Sequence, residues 1–274
     1  RLLEMPDPQT LMPAQIALSA LNLHDGNPEE AKSLVSGIID SPGKASPQLV
    51  GMAKLIKSKA FMDEDNPEEA LKILTSMISE NSLPPKIMSM ARLGAAEAEI
   101  SLEKKGKVNE AEKGTGEDRL LNFIETQPDS PFLPEAFKIL HTTKAFADAR
   151  AYEKLQEWAK GEQPNRTPYA LAMMARLMIE REEASQLPEI FTRMGQKFSV
   201  HKIARDTQYL ILQYRYDHKL LEEAEKRLNQ LPEDAAKTIF MKGGLHYAKG
   251  DFWKAGESYD KAFEDLSFTK GNME

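Results

Sequence analysis

The sequence predicts an all-α protein built from about seven helical hairpins. The pentapeptide NPEEA occurs at residues 27–31 and again at 66–70, each time between two apolar stretches with helical periodicity. A marker residue near the start of the second helix of each hairpin recurs at intervals of 39, 41, 40, 36, 37 and 31 residues. No strand is expected, because runs such as TIFM and YLILQYRY lie inside helical periodicity. A recurrence of 20 to 50 residues is typical of repeat architectures. The markers are Ala31, Ala70, Ala111, Ala151, Leu187, Ala224 and Ala255.

The hairpin turn has a physical explanation in the NPEEA copies. Asn ends the first helix, and Pro presets the first turn of the second helix, where a missing N–H costs nothing. The two Glu residues lie at the positive end of the new helix, and the small Ala lets two helices approach closely.

The first helix of each hairpin is expected between proline-rich connections. The third hairpin departs from the pattern, because Gly114 and Gly116 occur where its second helix should begin. Residues 104–118 are rich in Lys, Glu and Gly and are expected to form an enlarged loop or a hinge. The predicted first helices are 13–24, 47–62, 85–103, 134–148, 167–182, 202–217 and 233–248.

The hairpins are expected to stack into a single array over residues 1–274. One hairpin cannot bury its own apolar face, whereas stacking on neighbours can, and the result is a superhelical solenoid. Seven hairpins of this length use the whole chain and leave no segment for a second domain.

The composition excludes several classes of function. The 274 residues carry a net charge of -7, which disfavours nucleic acid as the main partner. No window approaches the roughly 20 apolar residues that a membrane span needs. The chain has no Cys, so disulfides, thiolate metal ligands and Cys nucleophiles are excluded.

The last hairpin, IFMKGGLHYAKGDFWKAGESYDKAF, resembles the tetratricopeptide repeat (TPR). The small residue Gly243, then Gly250, Ala255, Tyr259 and Ala262 follow the spacing of that family. The other hairpins are longer than the usual 34 residues, and pairs of the HEAT type fit the first intervals as well. The resemblance implies an α-α superhelix of TPR-like hairpins.

A second resemblance concerns location. The segment TQPDSPFLPEAFKIL, residues 126–140, is similar to the connections between repeats in TPR proteins of the bacterial envelope. It implies the periplasm or cell envelope rather than the cytoplasm. The chain starts at Arg1 without Met, so we expect an excised mature region.

Catalytic motifs are missing from the sequence. None of the five His residues belongs to an HExxH helix or another metal-ligand spacing, and the patterns GxSxG, GxGxxG and the P-loop do not occur. The acidic residues cluster at helix ends, where a solvent-facing charge is the usual role. We therefore expect no enzymatic activity, no cofactor and no metal site.

A peptide-binding face is the expected functional site. In TPR arrays the first helices line the concave face, so the resemblance implies a groove built from them. Aromatic, amide and cationic side chains with helical spacing in the last three hairpins are suited to an interface. The alternative for each Tyr is ordinary packing between helices. The candidates are Tyr169, Arg176, Tyr209, Gln213, Tyr216, Lys237, Phe240 and Tyr247.

The distribution of charge favours the second half of the chain as the binding region. Residues 1–137 hold 14 Lys+Arg and 22 Asp+Glu, whereas residues 138–274 hold 22 and 21. We expect a non-catalytic protein interaction scaffold whose concave groove binds an extended peptide or a partner helix. One alternative is a structural spacer or assembly platform within a larger envelope protein, and another is a helical-array enzyme. The oligomeric state is left open.

Overall fold

A computed structural model describes residues 8–43, 45–80, 82–109, 113–143, 149–233 and 235–264. These residues form fourteen α-helices and no β-strand, which confirms the all-α prediction for the part of the chain that is described. A three-residue 3-10 turn at Ala184–Gln186 precedes α10. The helices are α1 Pro8–His24, α2 Pro28–Asp40, α3 Pro47–Asp63, α4 Pro67–Ser79, α5 Pro85–Lys104, α6 Thr115–Thr126, α7 Leu133–Thr142, α8 Ala149–Lys160, α9 Arg166–Glu180, α10 Leu187–Lys197, α11 Lys202–Asp217, α12 Leu221–Leu228, α13 Ala236–Ala248 and α14 Phe252–Glu264.

The fourteen helices alternate as the first and second helices of seven hairpins, as the marker spacing predicts. The bounds of α3, α5 and α11 agree with the expected ones to within one residue. Helix α1 begins five residues earlier than expected, and Pro13 lies inside it. That proline removes a single backbone hydrogen bond, to the carbonyl of residue 9. Helix α7 was expected to reach residue 148, but it ends at Thr142, and residues 144–148 lie outside the described residues.

The chain divides into two compact units, Arg1–Lys154 and Leu155–Glu274. The division falls within α8, and the sequence predicted an enlarged loop or a hinge at residues 104–118. Those residues lie within the first unit, and the connection from α5 to α6 spans residues 105–114, of which 110–112 are not described. The connection is longer than the three-residue turns that follow α1, α3, α11 and α13. The single array over 1–274 stays a prediction.

Six of the hairpin turns have the same backbone geometry. In five of them, three residues separate the first helix from the next element, and after α5 the connection has ten residues. In all six, the second residue after the helix is left-handed, with φ between 58° and 83°. The N–H of the following residue donates to the carbonyl five residues back, at 2.8 to 3.0 Å. This bond belongs to the Schellman motif, which satisfies a carbonyl that the helix end would leave free. The left-handed residues are Gly26, Asp65, Gly106, Glu182, Lys219 and Gly250.

The two NPEEA copies begin α2 and α4 with the expected chemistry. Pro28 and Pro67 are the first residues of their helices, each followed by two Glu residues in the first turn. The Asn66 side chain accepts a hydrogen bond from the N–H of Glu69. The Asn27 side chain makes no such bond, so the same pentapeptide is capped in only one of its copies.

The marker residues lie where two helices meet. Ala31, Ala70, Ala151, Leu187 and Ala224 have no exposed surface, and Ala255 is 2% exposed. Ala111 lies outside the described residues. Burial of a small residue at the same place in hairpin after hairpin lets each pair of helices approach closely.

In the first three hairpins, each new first helix packs against both helices of the preceding hairpin. Helix α3 contacts α1 and α2, and α5 contacts α3 and α4. Two core clusters fill these junctions, one around Val35 and Ile38 and the other around Leu74 and Met77. At the turns, Lys32 Nζ lies 2.6 Å from a Glu64 carboxylate oxygen and joins the first hairpin to the second.

The second unit repeats this packing between α9 and α12. Helix α11 contacts α9, α10 and α12, while α13 contacts α12 and α14. The buried Arg215 on α11 forms an ion pair with Glu223 on α12, and burial lowers the pKa of Arg215. The first helices α9, α11 and α13 carry all eight predicted binding residues.

Candidate peptide-binding site

A cavity of about 520 Å³ opens among the three first helices of the second unit. Helix α11 contributes most of its lining, α13 contributes three residues and α9 contributes one. The lining residues are Arg176, Ile203, Asp206, Thr207, Tyr209, Leu210, Gln213, Lys237, Phe240 and Met241.

Five of the eight predicted residues line this cavity. They are Arg176 from α9, Tyr209 and Gln213 from α11, and Lys237 and Phe240 from α13. Their spacing in the sequence predicted one face on each helix, and the packing of the helices brings the faces together. Arg176, Gln213, Lys237 and Phe240 are exposed, so part of each side chain is in contact with solvent at the cavity.

Tyr209 forms the floor of the cavity rather than a free anchor. Its ring is 7% exposed, and its hydroxyl lies 2.9 Å from the Thr238 hydroxyl oxygen on α13. Lys237 Nζ lies 4.7 Å from the centre of the Tyr209 ring, within the range of a cation–π contact. These contacts fix the position of α13 against α11, so Tyr209 acts through packing, as the alternative interpretation held.

The rim of the cavity carries mixed charge. Arg176 and Lys237 are cationic, Asp206 is anionic and all three are exposed. The Gln213 amide donates to Asp217 Oδ1 at 2.9 Å, one turn further along α11. A ligand would therefore meet two cations, one carboxylate, an amide and the Phe240 ring, which is 38% exposed. Such a set suits a peptide better than a uniformly charged polymer.

Three predicted residues do not line the cavity. Tyr216 is half-buried and donates its hydroxyl to the Met241 carbonyl at 3.0 Å. Burial, with smaller contributions from Tyr259 and Glu225, raises the pKa of Tyr216 well above its usual value. Tyr169 near the start of α9 is also half-buried, and burial raises the pKa of its hydroxyl.

Tyr247 lies at the other end of α13. Its ring is 62% exposed, and its centre is 5.3 Å from that of Phe252 on α14. Tyr247 therefore belongs to the surface of the last hairpin.

The structure adds lining residues that the sequence analysis missed. Ile203, Asp206 and Leu210 lie on the face of α11 that carries Gln213. Counting back three, seven and ten residues from Gln213 would have found them, because positions with these separations share one face of a helix. Ile203, Asp206 and Leu210 are not aromatic or amphipathic residues, which were the types used to predict the binding face.

Two other cavities have polar groups that are occupied within the protein. A cavity of about 320 Å³ is lined by α8, α9 and α10. Its Arg193 binds the carbonyls of Ala159, Lys160 and Gly161 at the end of α8. In the first unit, a cavity of about 250 Å³ lies among α3, α5 and α7, where Lys104 donates to the Thr142 carbonyl at 2.9 Å.

The described residues contain neither a candidate metal site nor a candidate membrane span. They contain no group of three or more His, Asp or Glu side chains placed to hold a metal ion. None of the described helices is both long enough and apolar enough to cross a membrane.

Comparison of the sequence with protein-family models finds no match, and comparison with curated proteins finds none either.

Proposed function

We propose that the chain is a non-catalytic protein interaction module whose second unit binds an extended peptide or a partner helix. The binding surface is the cavity lined by α9, α11 and α13. The convergence of five sequence-predicted residues on this one cavity carries the proposal.

The chemistry of the cavity supports a peptide ligand. The Phe240 ring and the Leu210 side chain offer apolar contact, while Arg176 and Lys237 can bind carbonyl or carboxylate oxygens. Gln213 can donate to and accept from a peptide backbone. The cavity is long enough to touch three helices, which allows a ligand to make several separate contacts.

We also propose that the hairpins stack as a TPR-like superhelix with the first helices on its concave face. The contacts of α1 with α3, of α3 with α5, and of α9 with α11 support this arrangement, because they place successive first helices side by side. The similarity of residues 126–140 to connections in envelope proteins supports a location in the periplasm or cell envelope.

The binding proposal is tested with peptides of about 12 residues selected by display on the wild-type chain. The variants Arg176→Ala, Gln213→Ala and Phe240→Ala remove exposed side chains that line the cavity. We expect each to weaken binding by about 10-fold, which corresponds to about 1.4 kcal/mol, as measured by fluorescence anisotropy.

Lys226→Ala on α12 and Val200→Ala are the matched controls, because both residues are exposed and neither lines the cavity. Their affinities should equal that of the wild type. Failure to select any binding peptide would contradict the proposal, as would equal losses in the controls and the cavity variants.

A further inference from the structure

The chain shows how the groove of a helical hairpin is filled. Three times, the groove between the two helices of a hairpin receives the next first helix: α3 packs on α1 and α2, α5 on α3 and α4, and α11 on α9 and α10. In the first case, the incoming α3 contributes apolar residues at positions i, i+3, i+4 and i+7, which are Leu49, Met52, Ala53 and Ile56.

The groove of the last hairpin has an aromatic surface and no such helix. Among the described residues, no helix packs against both α13 and α14. Tyr247 and Phe252 meet across the groove and are 62% and 65% exposed. Phe240 and Tyr259 meet two turns away, with ring centres 5.1 Å apart. Gly256, on the same side of α14, has nothing within 4 Å of the position that a Cβ would take, so the groove has room for an incoming side chain.

Helix α1 has an apolar face that matches this groove. Residues 8–23 contain no Asp, Glu, Lys or Arg. One face of α1, with Ile16 and Ser19, is buried within the first unit. The opposite face carries Leu11, Ala14, Leu18 and Leu21 at positions i, i+3, i+7 and i+10, and Leu21 is 58% exposed. A contiguous exposed apolar surface often marks a site of protein interaction.

We propose that α1 of one copy of this chain docks in the α13–α14 groove of a second copy. The contact repeats the packing of α3 on α1 and α2, with the aliphatic ridge of α1 seated among the aromatic rings.

Docking leaves no ionised group of α1 buried, because the ridge is uncharged. The exposed Trp253 at the edge of the groove already donates its indole N–H to Glu257 at 3.0 Å. That indole N–H is thus satisfied before docking.

The two faces are different surfaces, and each copy carries one of each. The contact is therefore heterologous and can be repeated from copy to copy. Phe240 borders both the groove and the peptide-binding cavity, whereas Arg176 and Gln213 line the cavity alone. Arg176→Ala and Gln213→Ala should therefore weaken peptide binding and leave self-association unchanged, so this inference and the proposed function can fail independently.

The test uses sedimentation velocity on the 274-residue chain between about 1 and 100 µM, a range that covers contacts of moderate affinity. The wild-type mass should rise above 30.8 kDa as the concentration increases. Leu21→Glu places a charge on the ridge, and Phe252→Glu places one in the groove. Each variant alone should remain at 30.8 kDa over the whole range.

A mixture of the two variants gives the decisive result. The intact groove of Leu21→Glu can accept the intact α1 of Phe252→Glu, and the complex cannot grow further. The equimolar mixture should therefore form a species of twice 30.8 kDa and nothing larger. Val200→Glu, on a side chain that is 87% exposed and outside both faces, should associate as the wild type does.

Circular dichroism establishes that each variant is folded, and Tyr247→Glu provides a second groove variant. A wild type that stays at 30.8 kDa overturns the proposal. Self-association of Leu21→Glu also overturns it, because the contact would then join groove to groove or use another partner surface. A mixture without the two-chain species does so as well.

Discussion

Asp65, Glu182 and Lys219 adopt the left-handed backbone that their hairpin turns require, although none of them is glycine. The same position is glycine in three other turns, including Gly26 and Gly250. The turn geometry is thus a stronger repeat signal than any residue identity. Because an L-residue can occupy this position at a modest cost, the sequence does not have to preserve glycine there.

Gly26 provides the residue-scale prediction. Its φ is +77°, and nothing lies within 4 Å of the position that a Cβ would take, so only backbone strain should oppose a side chain. Gly26→Ala should lower the free energy of unfolding by about 1–2 kcal/mol. Gly37→Ala, in the exposed interior of α2 with equally open surroundings, should raise it by about 0.5–1 kcal/mol. Urea unfolding measures both, and shifts of the same sign would refute the strain argument.

Individual residues also show the limit of sequence reasoning about the site. Spacing placed Tyr209 and Tyr216 on the correct helix, but it could not show that their hydroxyls bind Thr238 and Met241. Those partners lie on α13, and only the packing of α13 against α11 decides which rings become buried. Arg176 and Phe240 are exposed and line the cavity. Exposure of a charged or aromatic end depends less on that packing.

Helix α6 shows how an element can depart from a sequence motif and still occupy its place in the repeat. Gly114 and Gly116 are unexpected at the start of the second helix of the third hairpin. In the structure, α6 begins at Thr115 and approaches α5 so closely that Gly116 is buried. The helical pattern of the sequence does not predict this contact, because the glycine is needed only where two helices approach closely.

Gly116→Ala is the element-scale prediction. The added Cβ would lie 2.8 Å from the Ile100 nitrogen and 2.9 Å from the Ala96 carbonyl oxygen, both of them backbone atoms of α5. Because backbone atoms cannot move aside singly, α6 must shift, and the free energy of unfolding should fall by about 1–3 kcal/mol. Asn122→Ala, at an exposed position of the same helix, serves as the control in the same urea titration. Equal stabilities of the two variants would show that the helices are not in tight contact.

Over the whole molecule, the order of helices and the positions of most hairpin turns could be predicted from the sequence. Periodicity, proline and small residues act locally, and each hairpin depends mainly on its neighbours. The division at Lys154 and Leu155 could not be predicted, because it depends on how many contacts cross a point rather than on a local motif. Residues 104–118 were expected to form an enlarged loop or a hinge, and α5 and α6 on either side of the connection pack together.

The central claim is that α9, α11 and α13 form the ligand-binding face, and hydrogen–deuterium exchange tests it most directly. Exchange is followed on the whole chain with and without a display-selected peptide. The account predicts slower exchange in residues 166–180, 202–217 and 236–248, because the ligand lies against these helices. Slowing confined to α10, α12 and α14, or to residues 8–143, would contradict it.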